Sequence, residues 1–588
     1  MKTYRVSDGI VEVLRDRGVR YFFSVSGANI EPIHDSIYLH GQGLLRSILA
    51  KHESGAGFMA DAHARVHKTL GVCGSTSGGG MLNLLAAIAE ANVSSVPLLA
   101  LVGQPPTHLW GKGAFQDSSG FGRAPNALDL FAHVSKFACL ISDPSKALDD
   151  LENAITAATS GRPGASVLLL PRDILLSPLH QNLAHLTVTS EQGNLSPPDP
   201  MAVESVAKEI ANAKSPLLIL GQGVQRSQGQ NRTVEFAEAL SMPVLVTLSG
   251  KGSFPNQHPL FLGVLSSSGH PGAVKALASA DLAVVVGAGL NIMTRDPVKD
   301  MLQSKRLVYI NAEVDYIDRI ATPAVKLIGD AGQCMSALLK AITAIGMPMP
   351  GNGLKRSDPA TLKPNEHYFE RCSDTYPRHE TTLSMYEAVE AIRDIIPSNA
   401  RLLVDAGNAG ATACHLLPCP DQGSFVTALG MGGMGWAVAG SIGAALATTP
   451  GETQLTVVIA GDGAVLMNGS ELNTIAAYRL PVVMVVLNNA SHGMCVTRQT
   501  LFFDSRIEAV EYPEIDVARY ASSLVGDSGI FTARAQSREA LREAFKHAIA
   551  LRKPALIDVR VTRDEIPPFA PFLRAADELL MSRQEKAA

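Results

Sequence analysis

The chain has 588 residues, of which 46% are hydrophobic and 18% charged, and its formal net charge is −5. This composition is typical of a globular protein with several domains and excludes a disordered chain. The slightly acidic balance, with no basic block, argues against a nucleic-acid partner.

The first residues, MKTYRVSDGIVEVLRDRGV, lack the apolar core of a signal peptide. The most apolar stretches are interrupted by Glu90, Pro97 and Arg479, so no membrane span is expected. The seven cysteines are scattered and form no C-x-x-C pair. They predict reduced thiols in a cytoplasmic protein.

Short runs of Val, Ile and Leu alternate with Ala-rich amphipathic segments along the chain, which is typical of parallel sheets covered by helices. We therefore predict an α/β fold with three doubly wound parallel-sheet domains. The clearest predicted strands, in chain order, are 166–170, 215–221, 281–289, 401–407, 454–463 and 481–489.

Two polar, proline-rich segments interrupt this pattern at residues 176–200 and 346–380. Both are predicted to be surface connections between domains. The resulting division of the chain is 1–180, 195–345 and 380–565 for the domains and 566–588 for a short amphipathic tail.

One stretch, GDGAVLMNGSELNTIAAYRLPVVMVVLNNASHGM (461–494), places polar residues after two predicted strands. Asp462 follows the apolar run VVIA, and Asn489 follows the run PVVMVVL. Because neighbouring parallel strands end at the same sheet edge, Asp462 and Asn489 are expected to lie close together. A carboxylate, an amide oxygen and a loop carbonyl form an oxygen-only site that suits Mg²⁺ and a diphosphate.

A simpler interpretation of this stretch treats GDG as a β-turn and the Asn pair as a helix cap. The strand–helix–strand spacing between the two motifs favours the metal–diphosphate site. The segment GSELNTIAAYRL (469–480) is predicted to be helical. Glu471 would lie in its first turn, where a carboxylate suits the helix dipole.

The same stretch resembles the thiamine-diphosphate fingerprint of the family that contains acetolactate synthase, pyruvate oxidase, benzoylformate decarboxylase and benzaldehyde lyase. The resemblance extends over nearly the whole chain and implies pyrimidine-binding, central and diphosphate-binding domains. It implies that Asp462, Asn489 and the backbone carbonyl of Ser491 bind Mg²⁺. Further implied cofactor contacts are Gly461, Gly463, Ala464, His492, Gly493 and Met494.

Glu53, in LAKHESGAGFMADAHAR (49–65), occupies the position of the family's catalytic acid. The family pattern E-x-x-A-x-x-M-A-D-G-Y-A-R is matched except at Ala62 and His63. The resemblance implies that Glu53 bonds to the aminopyrimidine ring and helps to remove the C2 proton of the cofactor. On sequence chemistry alone, a Glu stabilised at a helix N-terminus is the alternative.

Two further segments of the first domain match family motifs. GSTSGGGMLNLLAAIAEA (74–91) retains Asn83, which is implied to contact the cofactor. GQPPTHLWGKGAFQD (103–117) places Phe115 and Gln116 where the family faces its substrate. Without the family resemblance, the simpler interpretation of each glycine cluster is a turn.

The third domain carries two more matching segments. DAGNAG (405–410) would meet the diphosphate through Gly407, Asn408 and Ala409. GMGGMGWAVAGSIGAALA (430–447) supplies Gly432 and Met434, and Met434 matches the large apolar residue that holds the cofactor bent. Core filling is the alternative role for a single methionine.

Glu53 and the metal residues lie in different predicted domains. In the resembling family the two halves of the site come from different subunits, which implies a homodimer or homotetramer with active sites at the subunit interface. The central domain contains GQGV (221–224), GKGSFP (250–255) and GAGLN (287–291), and acetolactate synthase binds FAD in this domain. Each motif is weak alone, so FAD is an alternative and not the expected cofactor.

The resemblance implies a thiamine-diphosphate- and Mg²⁺-dependent carboligase of the acetolactate synthase type. It would decarboxylate a 2-oxo acid and transfer the acyl carbanion to a second carbonyl acceptor. One alternative is a non-oxidative 2-oxo-acid decarboxylase or a 2-hydroxyacyl lyase acting on aldehydes or acyloins. A more remote alternative is a non-catalytic binding homologue.

Substrate choice is less determined by the sequence. Arg498 replaces a Trp of the acetolactate synthase acceptor pocket, while Gln499 matches. Arg498 could bind an anionic substrate or point to solvent. Surface or structural roles are the alternatives for the histidines near the site, of which His492 is the preferred catalytic candidate. The other histidines considered as proton shuttles are His34, His52 and His108.

Overall fold

The computed structural model describes residues 4–180, 195, 197–313, 317–346, 382–420, 424–447, 454–526 and 529–587. Its strands form three sheets of six parallel strands, within residues 21–171, 216–328 and 401–560. This arrangement confirms the predicted α/β class with three parallel-sheet domains. The greater part of both predicted linkers lies outside the described residues.

The first sheet is covered by helices on both faces, and its central strands are buried at every position, which explains their uninterrupted apolar sequence. Its strands are β1 Tyr21–Ser24, β2 Arg46–Leu49, β3 Gly71–Ser75, β4 Leu98–Gln104, β5 Phe137–Leu140 and β6 Ala165–Pro171. They pair in the order β2-β1-β3-β4-β6-β5. The helices are Val6–Asp16, Glu31–His40, Glu53–His67, Gly79–Val93, Ala127–Val134, Ala147–Thr159 and Arg172–Leu176.

The second sheet forms the central domain. Its strands are β7 Pro216–Leu220, β8 Val244–Thr247, β9 Phe261–Leu265, β10 Leu282–Val286, β11 Arg306–Asn311 and β12 Val325–Ile328. The order β12-β11-β10-β7-β8-β9 reverses direction between β10 and β7, which creates a crevice at their carboxyl ends. The helices are Pro200–Asn212, Gln222–Arg226, Gln230–Ala239, Pro271–Ser279, Ile292–Arg295, Lys299–Ser304 and Ala331–Ala344.

The third sheet carries most of the predicted cofactor residues. Its strands are β13 Arg401–Val404, β14 Ser424–Thr427, β15 Thr456–Gly461, β16 Val482–Asn488, β17 Phe531–Ala535 and β18 Ala555–Arg560, in the order β14-β13-β15-β16-β18-β17. The helices are Met385–Arg393, Gly407–Leu416, Trp436–Ala445, Asp462–Asn468, Leu472–Ala477, Gly493–Phe502, Val517–Val525, Arg538–Leu551 and Ala570–Ala587.

One predicted helix differs from the structure. The helix expected over 469–480 is divided: a first helix already begins at Asp462, a 3-10 turn covers Gly469–Glu471, and a second helix follows. The C-terminal tail forms one helix of 18 residues, Ala570–Ala587. Its residue Ala570 donates a backbone hydrogen bond to Ser267 of the central domain at 2.7 Å.

The first and third domains share a continuous apolar core. Its centre is the contact between helix Glu53–His67 and helix Trp436–Ala445, which approach closely because of two glycines. A Cβ atom on Gly443 would lie 1.8 Å from the backbone oxygen of Met59, and one on Gly440 would lie 3.0 Å from the Cβ of Ala62. Another apolar core joins the central and third domains.

Within the described residues, no helix combines the length and apolar character needed to cross a membrane.

Candidate active site

The carboxyl ends of β15 and β16 meet at one edge of the third sheet. The two strands pair in parallel with Gly461 opposite Leu487. Asp462 therefore follows one strand at the level where Asn488 ends the other, and Asn489 is the next residue. The structure thus brings Asp462 and Asn489 to the same sheet edge, as strand-end geometry predicts.

Asp462 is a buried carboxylate, with 2% of its surface exposed. The Tyr512 hydroxyl donates a hydrogen bond to its Oδ2 atom at 3.0 Å. Burial raises the pKa of Asp462 above its ordinary value, although this hydrogen bond opposes the shift. No lysine or arginine forms an ion pair with Asp462 in the part of the chain that the structure describes, so the position favours an added cation.

Four buried polar atoms near this edge lack hydrogen-bond partners among the residues that the structure describes. They are Oδ1 of Asn408, Nδ2 of Asn489, Oγ of Ser491 and Nδ1 of His492. Buried polar atoms are normally paired, and an unpaired one costs free energy. Their concentration in one place fits a polar ligand that supplies the missing partners.

Two glycines leave room for these polar side chains to lie close to the backbone of the turns. A Cβ atom on Gly463 would lie 2.9 Å from Nδ1 of His492 and 3.0 Å from Cε of Met434. A Cβ atom on Gly493 would lie 2.6 Å from Nδ2 of Asn489. The structure therefore places Met434 beside the GDG turn and keeps backbone close to the candidate ligands.

Asp405 joins two other predicted cofactor segments. It follows β13, and its carboxylate accepts hydrogen bonds from the backbone N–H groups of Gly435 (2.9 Å) and Ala437 (2.7 Å). This contact ties the loop that carries Gly432 and Met434 to the start of helix Gly407–Leu416. Burial raises the pKa of Asp405 to about 6. Sequence reasoning missed this role, although Asp405 ends a strand at the same sheet edge as Asp462.

The remaining predicted diphosphate residues lie on the surrounding turns and helix ends. Gly407 (φ +89°) and Gly432 (φ +68°) both have the left-handed backbone that glycine favours. Asn408 donates from Nδ2 to Thr497 at 3.1 Å, which links it to the helix that begins at Gly493 and includes Met494. Ala409 and Ala464 are buried in the first turns of their helices.

Glu53 is the first residue of its helix, and its side chain is partly exposed. Nδ2 of Asn83 donates a hydrogen bond to its Oε2 atom at 2.9 Å. A Cβ atom on Gly80 would lie 3.1 Å from Oε1 of Glu53. The structure therefore brings Glu53 together with the glycine-rich segment that contains Asn83.

The predicted substrate residues flank the other side of this segment. Gln116 has a left-handed backbone conformation (φ +60°). A Cβ atom added to Gly78 would lie 2.8 Å from the Cβ atom of Gln116. Ser77 donates to its Oε1 atom at 3.4 Å. Phe115 is 88% exposed, so its large apolar ring has little cover within one chain.

Glu53 and the sheet edge at Asp462 belong to different domains of the chain. Among the described residues, no hydrogen bond or ion pair connects Glu53 to Asp462, Asn489 or His492. The ring of His492 packs edge-on against Tyr512, with centroids 5.5 Å apart. His492 therefore lies on the Asp462 side of the candidate site, because Tyr512 also bonds to Asp462.

The other histidines considered as proton shuttles, and the segment that contains Arg498, contact different parts of the chain. His34 lies between the hydroxyls of Ser24 and Ser47, and His52 contacts Ser54. His108 lies on the surface. The Arg498 guanidinium lies over the ring of Phe572, 6.0 Å from its centroid, on the C-terminal helix. The Gln499 amide bonds to the backbone of Glu508 at both ends.

A cleft of about 730 Å³ lies where the three domains meet. It includes the glycine turns after β7 and β10, at the point where the strand order reverses. Cationic side chains from two domains line it, including Arg65, Lys68 and Arg226. Burial lowers the pKa of Arg226 to about 9. A crevice where the strand order reverses is a common ligand-binding position in open α/β sheets.

Comparison with known protein families gives three matches, all to thiamine pyrophosphate enzymes. The N-terminal TPP binding domain matches residues 4–121, the central domain 203–338, and the C-terminal TPP binding domain 405–559. Together they cover more than half of the chain, and each overlaps one of its three sheets.

Curated relatives resemble the chain over nearly its full length. A probable acetolactate synthase large subunit of Methanocaldococcus jannaschii is 28% identical over 96% of this chain and 93% of the relative. The acetolactate synthase large subunit of Parasynechococcus marenigrum is 29% identical over 95% and 88%, respectively. The isozyme 1 large subunit of Escherichia coli is 26% identical over 97% of both chains. The chain thus belongs to the thiamine pyrophosphate enzymes and is similar to acetolactate synthase large subunits.

Proposed function

We propose that the protein is a thiamine-diphosphate- and Mg²⁺-dependent carboligase of the acetolactate synthase type. It would decarboxylate a 2-oxo acid and transfer the acyl unit to a second carbonyl compound. The observation that carries the proposal is the sheet edge at Asp462 and Asn489, where a buried carboxylate adjoins unpartnered polar atoms. The full-length similarity to acetolactate synthases favours carboligation over the alternatives.

Asp462, Asn489 and the backbone carbonyl of Ser491 would hold Mg²⁺ through oxygen atoms. A diphosphate would complete the metal's ligands and meet the N-terminus of helix Gly407–Leu416, where backbone N–H groups and Asn408 are available. Met434 would support the bound molecule from beside the GDG turn.

Glu53 would exchange a proton with the pyrimidine ring, while Asn83 holds one of its carboxylate oxygens in place. When bound, thiamine diphosphate supplies the electron sink for cleavage next to a carbonyl group. Phe115 and Gln116 would face the substrate, with His492 on the opposite, metal side. These roles follow from the family resemblance and are supported by the contacts described above.

We propose that the active sites form between two copies of the chain, in a homodimer or homotetramer. Glu53 has no polar contact with the metal residues within its own chain, as far as the described residues show. Large apolar side chains near both halves are exposed, among them Leu82 (42%), Phe115 (88%) and Met467 (54%). A second copy would cover these side chains and complete the site.

FAD remains an alternative further ligand, and the three-domain cleft is the position that we propose for it. Purified protein that retains a flavin absorbance spectrum after desalting would establish it, and colourless protein that takes up no added FAD would exclude it. The cytoplasmic location also remains a proposal, which rests on the cysteine pattern of the sequence.

Product analysis tests the proposed reaction. The purified protein is incubated with thiamine diphosphate, Mg²⁺ and pyruvate or larger 2-oxo acids. We expect an acetohydroxy acid or acyloin, whereas aldehyde alone would indicate a decarboxylase and cleavage of added acyloins a lyase. Glu53→Gln should lower turnover by roughly 10²–10⁴-fold. Cofactor binding without turnover on any of these substrates would favour the non-catalytic homologue.

A further inference from the structure

A buried glutamate of the third domain contacts the turn that precedes Glu53. Glu471 lies in the 3-10 turn Gly469–Glu471, between the two strands that end at the metal edge, and its side chain is fully buried. Its Oε1 atom accepts hydrogen bonds from the backbone N–H groups of Lys51 (2.8 Å) and His52 (3.2 Å). The helix that carries Glu53 begins at the next residue.

Two neighbours hold the Glu471 carboxylate in this place. The Thr474 hydroxyl oxygen lies 3.1 Å from Oε2 of Glu471 and 3.1 Å from the backbone oxygen of Leu49. A Cβ atom on Gly55 would lie 2.4 Å from Oε1 of Glu471, so the glycine leaves the space that the carboxylate occupies. The carboxylate therefore contacts Thr474 through Oε2 and the backbone of Lys51 and His52 through Oε1.

The sequence predicts a different partner for this side chain. The helix dipole predicts that Glu471 interacts with the N-terminus of its own helix, but its carboxylate contacts the backbone N–H groups just before helix Glu53–His67. A charged acceptor that holds two backbone N–H groups in a buried place is a strong and directional contact. It restricts the backbone of Lys51 and His52, and Glu53 is the residue that follows.

We propose that Glu471 is a positioning residue for Glu53. By fixing the turn at Lys51 and His52, it sets the point from which the Glu53 side chain leaves the helix. Proton transfer depends on this placement, since a misplacement of about 1 Å can slow a reaction a hundredfold. The inference rests on the proposed function, because it requires that Glu53 exchanges a proton with thiamine diphosphate.

The first test uses the protein without cofactor and compares Glu471→Gln with Glu565→Gln. Glu565 is a matched control, because its buried carboxylate also accepts hydrogen bonds from two backbone N–H groups, those of Met385 and Tyr386. In Glu471→Gln, we expect amide hydrogen exchange in the peptide 50–56 to rise by about tenfold or more. Glu565→Gln should leave this peptide unchanged, and an unchanged peptide in Glu471→Gln would overturn the proposal.

The second test measures the exchange of the C2 proton of bound thiamine diphosphate with deuterated solvent. Glu471→Gln should slow it roughly tenfold to a hundredfold, while Glu565→Gln stays near the wild-type rate. If Glu53→Gln slows the exchange and Glu471→Gln does not, only the positioning role is wrong. If Glu53→Gln itself keeps the wild-type rate, the proposed function of Glu53 is wrong and the inference falls with it.

A milder variant covers the case in which Glu471→Gln does not fold. Thr474→Val removes one partner of the Glu471 carboxylate with little change in shape. Thr233→Val is its control, because Thr233 is equally buried and bonds to Gly229 in the central domain. Thr474→Val should raise exchange in the peptide 50–56 and slow C2 proton exchange severalfold, about threefold or more. Equal behaviour of the two threonine variants would overturn the proposal.

Discussion

At the residue scale, Asp462 combines burial with the absence of a cationic partner among the described residues. Desolvation makes its charged form costly, and the hydrogen bond from Tyr512 offsets only part of this cost. A bound divalent cation would favour the charged form. Metal binding at Asp462 should therefore relieve an unfavourable feature of the cofactor-free protein.

Asp462→Asn should lower the affinity for thiamine diphosphate in the presence of Mg²⁺ by about a hundredfold or more, because it removes a charged metal ligand. The cofactor-free variant should be at least as resistant to heat as the wild type, since a buried charge is gone. Calorimetric titration and thermal unfolding measure the two effects. Asp281→Asn, which alters a carboxylate bonded to Lys214 and Ser215 in the central domain, should leave the affinity unchanged.

The raised pKa of Asp405 predicts that the free energy of unfolding depends on pH. Its folded-state pKa of about 6 lies above the ordinary aspartate pKa of 3.8, so the folded protein holds this proton more tightly than the unfolded chain. The contribution of Asp405 to the free energy of unfolding therefore falls by roughly 3 kcal/mol as pH rises from about 4 to about 6. Above this range the contribution stays constant.

Urea unfolding of the wild type and Asp405→Asn between pH 4 and 7 measures this contribution. The stability of the wild type relative to the variant should fall across pH 4–6 and then stay level. A difference that stays constant over the whole range would contradict the burial of this charge.

At the scale of elements, the contact between helices Glu53–His67 and Trp436–Ala445 depends on small residues. Gly443→Ala would place a methyl group against the backbone oxygen of Met59, which cannot rotate away. Gly440→Ala would place its methyl group 3.0 Å from the Cβ of Ala62 and 3.4 Å from the backbone oxygen of Phe58, which is a far milder approach. We expect Gly443→Ala to cost roughly 3 kcal/mol of unfolding free energy and Gly440→Ala clearly less. Equal effects on urea unfolding would count against this packing.

Strand ends were predictable from sequence, and contacts across domains were not. The runs before Asp462 and Asn489 are apolar and short, so their parallel pairing and common edge follow from local pattern. Asp405 was within reach of the same argument, because it also ends a buried strand. The partners of Glu471, by contrast, lie about 420 residues away in sequence, and no local signal identifies them.

At the scale of the whole molecule, the proposed sharing of active sites between copies predicts complementation. Glu53→Gln and Asp462→Asn should each be inactive alone. A hybrid dimer of the two would contain one site with both changes and one with neither. Unfolding and refolding an equal mixture should therefore restore about a quarter of wild-type turnover.

The control for complementation is each variant alone, unfolded and refolded in the same way. If Glu53 and Asp462 served one cofactor within the same chain, every site in the hybrid would carry one change. The mixture would then stay inactive, and the proposed interface would be wrong.

The most direct measurement of the central claim is calorimetric titration of the purified wild-type protein with thiamine diphosphate, with and without Mg²⁺. The sheet edge at Asp462 and Asn489 predicts saturable binding that requires the metal and is lost with EDTA. Absence of binding in the presence of Mg²⁺, or equal binding in its absence, would contradict the assignment of this edge as the metal–diphosphate site.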